Sequence, residues 1–388
     1  MGEPVIMTTI DLDQNATTPL DPDVLEAMQP YWLASGNAES RHSLGRQARR
    51  AWDHATETVA NLLNASPGEV LFTSGGTEAN NLALFGLADP TRGPGHVVLS
   101  PIEHPAVAEP LARLKTLGFL VDRGTVDHEG IADLESMPLG PTTRVATLML
   151  ANNETGAIQP VEALVARARG FQIPVHTDAV QAVGKIPVDF HGLGVSTLAC
   201  SAHKFDGPTG VGVLLIRKGT PLSPMFFGGG QQRGLRPGTA PVALAVGLAA
   251  ALQKAHTEGD ARRARWMTLR DRLEAGLIEG LGVDHVIRNG PCDDRFRLPQ
   301  TLNVAFPGGD GDALLIGLDQ AGVAASLGSA CSSGATRPSP TLVAMNLPRS
   351  RLRSSVRFSL GAFTTEIEVA EAVSKIVRAI RCASGAVS

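Results

Sequence analysis

Short runs of apolar and β-branched residues alternate with helical patterns through the first two-thirds of the chain. Several of the runs are apolar at successive positions, which is typical of strands covered on both faces by helices. Helical patterns lie between them, as at 44–63, where apolar residues recur every three or four positions. The alternation predicts an α/β fold around a mostly parallel sheet. The predicted strands are 70–73, 96–100, 144–150, 174–178, 197–202 and 212–217.

The length and the change of pattern along the chain predict two domains. The chain has 388 residues, of which 43% are hydrophobic, enough to bury more than one core. After about residue 256, charged helical patterns with a few strands replace the regular alternation. We expect a large domain at 16–255 and a smaller α+β domain formed by 1–15 and 256–388.

Charge and cysteine content indicate an enzyme acting on small molecules in the cytoplasm. A net charge of −4 gives no electrostatic reason to bind nucleic acid or an anionic membrane. No apolar run approaches the roughly 18 residues of a membrane span. The four cysteines, Cys200, Cys292, Cys331 and Cys382, form no CxxC pair, which argues against a zinc site. They are expected to be free thiols in a reducing compartment.

Polar and ionisable residues follow the predicted strands where each strand ends. In a parallel sheet the carboxyl ends of the strands meet at one edge, where ligands bind. The sequence therefore predicts a site at this edge. The segments concerned are Ser74–Glu78, Glu103–His104, Asn152–Glu154, Asp178–Gln181 and Ser201–Lys204.

Lys204 and Asp178 have the chemistry of a site for a carbonyl cofactor with a pyridine ring. A desolvated lysine forms a Schiff base with a carbonyl, and a carboxylate pairs with a protonated pyridine nitrogen. Gln181, one turn after Asp178, is placed to donate to a phenolic oxygen of the ring. Taken singly, Lys204 also fits a solvated loop, and Asp178 fits a helix cap.

Three further features fit the same site. Ser74–Thr77 combines small residues with a helix start, which predicts a phosphate site, or else an ordinary strand-to-helix turn. The chain has neither a Walker A motif nor GxGxxG after a strand. His104 is placed to stack on a ring and relay protons, or to cap a helix. Arg357 is either a ligand for a substrate carboxylate or a surface arginine.

Cys331 lies in a stretch of small residues, Leu327–Thr336, unlike the surroundings of a core cysteine. An accessible thiol with a pKa near 8.5 supplies enough thiolate near neutrality to act as a nucleophile. Cys200, inside the apolar run at 197–202, is expected to be a buried hydrophobic residue.

Together these residues resemble the cysteine desulfurase family of fold-type I enzymes, which depend on pyridoxal 5′-phosphate (PLP). The resemblance runs over nearly the whole chain, and its motifs occur in the family's order. They are Asp13–Thr18, Thr73–Glu78, Asn152–Gly156, His176–Gln181, Ser201–Lys204, Arg236–Thr239, Gly328–Cys331 and Val356–Gly361.

The resemblance implies a role for each site residue. Lys204 would hold PLP, Asp178 would bind the pyridine nitrogen, and His104 would stack on the ring. Gln181 would bond the phenolic oxygen, and Asn153 would border both ring and substrate. Asn37 and Arg357 would bind the substrate carboxylate. The phosphate ligands would be Gly76, Thr77, Ser201 and His203, together with Thr239 from a second subunit, which implies a homodimer.

The implied reaction converts L-cysteine to L-alanine and leaves a persulfide on Cys331. His104 would act as acid and base for the substrate thiol, and Lys204 for the protons on carbon. The sulfur would pass to an acceptor protein, in iron–sulfur cluster assembly or thiolation. The basic residues Arg337, Arg349, Arg351 and Arg353 are either a docking surface for an acidic acceptor or a solvated face.

Two other interpretations of the sequence remain. A selenocysteine lyase or an aminotransferase would share the cofactor, but transamination needs no thiol and the lyases usually carry a different cysteine context. A catalytically silent homologue would serve as a scaffold, which the presence of Lys204, Asp178, His104 and Cys331 together argues against.

Overall fold

The structure, a computed structural model, describes residues 9–328 and 338–383. The strands are Ile10–Asp11 (β1), Val70–Thr73 (β2), His96–Leu99 (β3), Leu120–Arg123 (β4), Thr125–Val126 (β5), Ala132–Asp133 (β6), Thr143–Thr147 (β7), Val175–Asp178 (β8), Thr197–Ser201 (β9), Gly212–Ile216 (β10), Ile287–Arg288 (β11), Thr301–Ala305 (β12), Val323–Ala324 (β13) and Ser355–Ser359 (β14). Each strand predicted in the first two-thirds of the chain is present, with ends shifted by three residues at most.

Helices occupy most of the intervals between these strands. They are Pro22–Leu33 (α1), Ser43–Leu62 (α2), Gly76–Ala88 (α3), Pro105–Thr116 (α4), Val161–Arg169 (α5), Phe190–Leu193 (α6), Val242–Thr257 (α7), Gly259–Leu281 (α8), Gly311–Gln320 (α9), Pro340–Ala344 (α10), Arg349–Ser354 (α11) and Glu366–Ala383 (α12). None of the helices in the described ranges is long and apolar enough to cross a membrane.

The central sheet has seven strands in the order β2-β10-β9-β8-β7-β3-β4. β10 runs antiparallel to both of its neighbours, and the other neighbouring pairs are parallel. The sheet is therefore mostly parallel, as predicted. The carboxyl ends of β7, β8 and β9 meet at one edge.

Both faces of the central sheet are buried, which explains the continuous apolar runs. Successive residues of a strand point to opposite faces. On β2, Leu71 packs with Leu82 of α3, whereas Phe72 belongs to the core that includes Leu248 of α7. The pattern read from the sequence thus reflects helices on both sides of the sheet.

A second core lies around the three-stranded antiparallel sheet β11-β12-β14. Side chains of α8, α9 and α12 contribute to it, and Ile10 and Leu12 from the start of the chain pack there as well. The two cores are separate clusters of buried residues. The domain limits at 15/16 and 255/256 stay a prediction.

Candidate active site

A cavity of about 270 Å³ opens at the carboxyl edge of the central sheet. Strands β8 and β9, the start of α3 and residues 104 and 357 all contribute to its lining. Most of the residues predicted for the site are brought together here. Those that line the cavity are Gly76, Thr77, His104, Asn153, Asp178, Gln181, Ser201, His203, Lys204 and Arg357.

The first turn of α3 provides a surface of backbone at one end of the cavity. Gly75 has φ 154° and ψ −177°, a conformation that is essentially restricted to glycine. A Cβ atom on Gly76 would lie 2.7 Å from Cγ2 of Val180, so only glycine fits here without displacement. Gly76 and Thr77 line the cavity, so the N-terminus of α3 borders it, which suits an anionic group such as phosphate.

A chain of hydrogen bonds fixes the carboxylate of Asp178. Asn80 Nδ2 donates to Asp178 Oδ2 at 2.6 Å, and the N–H of Val180 donates to Oδ1 at 2.9 Å. His176 Nε2 lies 2.9 Å from Asn80 Oδ1, and its Nδ1 lies 2.9 Å from Thr197 Oγ1. Since Asn80 Oδ1 can only accept, the network assigns the His176 proton to Nε2.

His176 makes the folded state sensitive to acid. Its side chain is fully buried, and burial lowers the pKa of His176 from 6.5 to about 3, the bond to Thr197 opposing this only in part. At a pH between about 3 and 6.5, His176 is therefore protonated in the unfolded chain but neutral in the folded protein. The free energy of unfolding is expected to fall as pH drops below about 6.5, at up to about 1.4 kcal/mol per pH unit.

We expect His176→Gln to reduce this pH dependence by about one proton, because glutamine does not titrate. Urea unfolding at about pH 7 and about pH 5 measures the change. His54→Gln, at an exposed position of α2, is the matched control and should leave the slope as it is. An unchanged slope in His176→Gln would contradict the assignment.

Lys204 is held at the cavity by two main-chain carbonyls. Its Nζ donates to the oxygen of Asn15 at 2.7 Å and to that of Ala16 at 2.6 Å. Asn15 also accepts from Gln181 Nε2 at 2.9 Å, and its own amide donates to Thr301 Oγ1 at 2.9 Å. Asn15 thus connects the lysine, the glutamine and β12.

Lys185 lies behind this group and is buried. It donates to Gln181 Oε1 at 2.5 Å, which sets the direction of the glutamine amide. Burial holds the pKa of Lys185 well below its usual range, and the charges of Lys204 and Arg357 lower it further.

His104 both caps α4 and lines the cavity. Its Nδ1 accepts from the N–H of Ala106 at 3.0 Å, which places the proton of the neutral ring on Nε2. Desolvation lowers the pKa of His104, Asp178 opposes this, and Lys204 adds to it. The ring is therefore mainly neutral at physiological pH.

Arg357 is buried and is not a surface arginine. One terminal nitrogen donates to Asp13 Oδ1 at 2.5 Å and the other to the carbonyl of Asn153 at 3.0 Å. Its Nε is buried without a hydrogen-bond partner in the described part of the chain. A buried guanidinium at the cavity wall is suited to an anionic ligand.

Two of the predicted site residues that the structure describes do not line this cavity. Thr239 and Asn37 are exposed and do not line it. Cys331 lies outside the described residues. The loop with Thr239 is nonetheless firmly attached, because Arg236 Nε donates to Glu78 Oε1 at 3.0 Å. A larger cavity of about 490 Å³, between α2 and this loop, contains none of the predicted site residues.

Several residues of the site were not assigned a function from the sequence. Asn80 lies one helical turn after Gly76, and Lys185 lies four residues after Gln181. The spacing of Asn80 would have placed it on the same side of α3 as Gly76, whereas Gln181 and Lys185 lie in turns after β8. The partner atoms, however, come from distant parts of the chain, as with Asn15 and Thr301.

The comparison with known families decides the identity of the fold. A sequence model of the aminotransferase class-V family matches residues 10–371. This chain belongs to the class-V aminotransferase family. Fold-type I architecture and a mostly parallel sheet are what this family predicts, so the predicted family and fold class are confirmed.

Class-V relatives of this chain are named as cysteine desulfurases. The cysteine desulfurase IscS of Dictyoglomus turgidum is 42% identical over 92% of this chain and 90% of its own length. The cysteine desulfurase NifS of Azotobacter vinelandii is 39% identical over 95% of this chain and 92% of its own length. A solved NifS-like protein has a TM-score of 0.88 at 37% identity, covering 96% of this chain and 99% of its own.

The family depends on PLP, and the cavity fits this cofactor. The lysine, the buried carboxylate and the backbone surface at Gly76 are the groups that an aldehyde, a pyridine nitrogen and a phosphate require. All three border one cavity. The predicted cofactor is therefore confirmed.

Proposed function

We propose that this protein is a cysteine desulfurase that converts L-cysteine to L-alanine and leaves the sulfur as a persulfide on Cys331. The observation that carries the proposal is the presence of Lys204, Asp178 and Arg357 in one cavity. Lys204 and Asp178 suit a cofactor with an aldehyde group and a pyridine ring. Arg357 suits the free carboxylate of an amino-acid substrate. The names of the relatives support L-cysteine as the substrate.

Each polar group of the cavity has a place in holding PLP. Gly76, Thr77, Ser201 and His203 would bind the phosphate, and Asp178 would pair with the pyridine nitrogen. His104 would stack on the ring, with Gln181 at the phenolic oxygen and Asn153 at the ring border. PLP, when bound through Lys204, supplies an electron sink for the α-carbon of an amino acid, which no side chain offers.

Arg357 orients the substrate. Its guanidinium is held by Asp13 and the carbonyl of Asn153, so it is already positioned when a carboxylate arrives. Because Arg357 lines the cavity, a carboxylate bound there would pair with a guanidinium that is already fixed in place. Asn37 is proposed as a second ligand for the same carboxylate, contributed by another subunit.

Proton transfer is assigned to two residues. His104, whose Nδ1 accepts from the N–H of Ala106, is assigned as the acid and base for the substrate thiol through Nε2. Lys204 Nζ moves the protons on the substrate carbons. The thiolate of Cys331 attacks the substrate sulfur, an S–S bond forms as the C–S bond breaks, and the thiol proton replaces sulfur on carbon. The sum of L-cysteine and a thiol thus equals L-alanine and a persulfide.

The working form is proposed to be a homodimer. Thr239 and Asn37 are exposed and outside the cavity of their own chain, so they can contribute to a site only in a second copy. Leu33 and Phe227, which are close to Asn37 and Thr239 in sequence, are 89% and 88% exposed, and large exposed apolar side chains favour a contact between subunits.

We propose that the persulfide sulfur passes to an acceptor protein in the cytoplasm, in iron–sulfur cluster assembly or thiolation. The basic docking surface suggested by the sequence is smaller than expected, because Arg351 is bound to Asn289 Oδ1 at 2.6 Å and to the carbonyl of Arg288 at 2.6 Å. Arg349 and Arg353 remain exposed. Arg337 lies outside the described residues.

The test is to add L-cysteine to the purified PLP-loaded protein and measure alanine and protein-bound persulfide. We expect one persulfide per chain in the first turnover, with an equal amount of alanine. A change of the cofactor absorption without alanine would indicate transamination or simple binding, and would overturn the proposal. A protein that PLP cannot reconstitute would support the scaffold interpretation.

A further inference from the structure

Lys185 is a buried lysine that the proposed chemistry does not use. It lies in the turn after β8, four residues after Gln181, and only 4% of it is exposed. Its Nζ donates to Gln181 Oε1 at 2.5 Å and to Asn15 Oδ1 at 3.3 Å. Both of these partners line the cavity, so Lys185 lies directly behind the cavity wall.

The hydrogen bonds assign the two ends of the Gln181 amide. Its nitrogen, Nε2, donates at 2.9 Å to the main-chain oxygen of Asn15, which can only accept. The amide oxygen therefore faces Lys185 and accepts from its amine. Without Lys185, this oxygen would be an acceptor without its donor, at a free-energy cost that favours movement of the glutamine. Lys185 and Asn15 thus hold the amide from both ends.

The amide nitrogen of Gln181 lies beside the amine of Lys204. Lys204 Nζ donates to the same oxygen of Asn15 at 2.7 Å, so both nitrogens are bound to one acceptor atom. In PLP, the phenolic oxygen is on the ring carbon next to the one that carries the aldehyde. A donor beside the amine that binds the aldehyde is therefore close to the phenolic oxygen, and Nε2 has a second N–H to offer it.

Lys185 is suited to this position as a neutral amine. Burial lowers the pKa of Lys185, and the charges of Lys204 and Arg357 lower it further. The charge of Asp206 opposes them. A neutral amine has two N–H groups, which match its two acceptor oxygens. Lys185 therefore acts through the direction of its hydrogen bonds and not through a charge.

We propose that Lys185 is a positioning residue that fixes the Gln181 amide so that Nε2 donates to the phenolic oxygen of PLP. The inference rests on the proposed function for the place of Gln181 at that oxygen. Lys185 does not itself line the cavity, so it acts through Gln181 and is not a catalytic residue.

The expected consequence is a change in the proton affinity of the nitrogen that joins Lys204 to PLP. A donor at the phenolic oxygen stabilises the negative charge there. This charge is most in need of a donor when the neighbouring nitrogen has lost its own N–H. The Gln181 donor therefore favours the deprotonated nitrogen and lowers the pH at which the proton is lost.

Lys185→Met removes the amine and keeps the length of the side chain. We expect the pH midpoint of the change in cofactor absorption, measured without L-cysteine, to rise by about one unit, because the phenolic oxygen loses a donor. Gln181→Leu should raise the midpoint by a similar amount. In the double variant the two shifts should not add, because both changes remove the same donor. Additive shifts would show that Lys185 acts through its charge, and would overturn the proposal.

Other titratable groups near the Lys204 nitrogen do not differ between these variants. A difference in the midpoint therefore reports the glutamine donor. The groups concerned are His104, Asp178, His203 and Arg357, all of which line the cavity.

Lys254→Met is the matched control. Lys254 is also a partly buried lysine with two acceptors, Asp21 Oδ1 at 3.0 Å and Asp23 Oδ2 at 2.5 Å, but it lies on α7 outside the cavity lining. Its replacement should leave the midpoint unchanged. If Lys185→Met does not fold, Lys185→Gln decides the question. Glutamine is polar but shorter than lysine, so it loses the contact with Gln181 and should raise the midpoint as well.

The remaining outcomes separate this inference from the proposed function. A midpoint that rises in Gln181→Leu but not in Lys185→Met would overturn the role of Lys185. A merely structural role would lower PLP content and thermal stability without moving the midpoint of the protein that still binds PLP, and would overturn it too. An unchanged midpoint in both variants would contradict the place of Gln181 at the phenolic oxygen. Absence of alanine and persulfide in the unmodified protein would contradict the proposed function but leave the midpoint shifts standing, since they are measured without L-cysteine.

Discussion

Lys204→Ala is expected to lower alanine formation from L-cysteine by at least about 100-fold. The replacement removes the amine that would hold PLP and the base that would move protons on the substrate carbons. Its carbonyl partners at Asn15 and Ala16 would be left to water. Alanine formation at saturating L-cysteine measures the loss, and the absorption spectrum shows whether cofactor is still bound.

Two controls separate the chemistry of Lys204 from its charge. Lys204→Arg keeps the positive charge and can still donate to the two carbonyls, but it cannot form a Schiff base, so it should be as inactive as the alanine variant. Lys115→Ala, at an exposed position of α4, should be fully active. Substantial activity in Lys204→Arg would show that the amine is not required.

The central sheet could be predicted from the sequence because each strand has its own pattern within a short segment. Continuous apolar runs indicate strands that are buried on both faces. The polar residues that follow these runs indicate the edge of the sheet where ligands bind. The strand ends singled out Lys204, Asp178 and His104 as candidates, and the resemblance to the family then implied a role for each. The antiparallel direction of β10 was not predicted, because direction depends on which strands pair.

The residues that hold the site residues in place could not be predicted, because their hydrogen-bond partners are distant in sequence. Asn80 reaches Asp178 across 98 positions, and Asn15 reaches Thr301 across 286. No periodicity records such a contact. The same limit applies to Lys185, whose second acceptor, Asn15 Oδ1, lies 170 positions away in sequence.

Arg351 shows the opposite error, in which a local pattern of basic residues suggested a larger exposed surface than the structure has. Basic residues at 349, 351 and 353 read as one charged surface. In the structure Arg351 folds back onto Asn289 and the carbonyl of Arg288, where it joins α11 to the end of β11. Charge in sequence does not distinguish a docking residue from one that fixes a helix.

Cys331→Ala is expected to abolish the protein-bound persulfide and to lower alanine formation by at least about a thousand-fold. The physical reason is that no other group would be left to accept the substrate sulfur, so the C–S bond would have no nucleophile to break it. PLP content and the L-cysteine-dependent change in absorption should persist, because the cavity residues are unchanged. Alkylation of the persulfide followed by peptide mass analysis measures the first effect directly.

The other cysteines serve as controls, and they differ in whether the thiol is buried or exposed. Burial raises the pKa of Cys200 to about 12, so this thiol is neither ionised nor reachable. Cys292 and Cys382 are exposed, and Cys292→Ala and Cys382→Ala should both keep full activity, since neither residue lines the cavity. A persulfide that remains in Cys331→Ala and disappears in one of these variants would assign the nucleophile to that cysteine. Full alanine formation in all three would mean that a thiol other than these cysteines, such as that of a second L-cysteine, accepts the substrate sulfur as a persulfide.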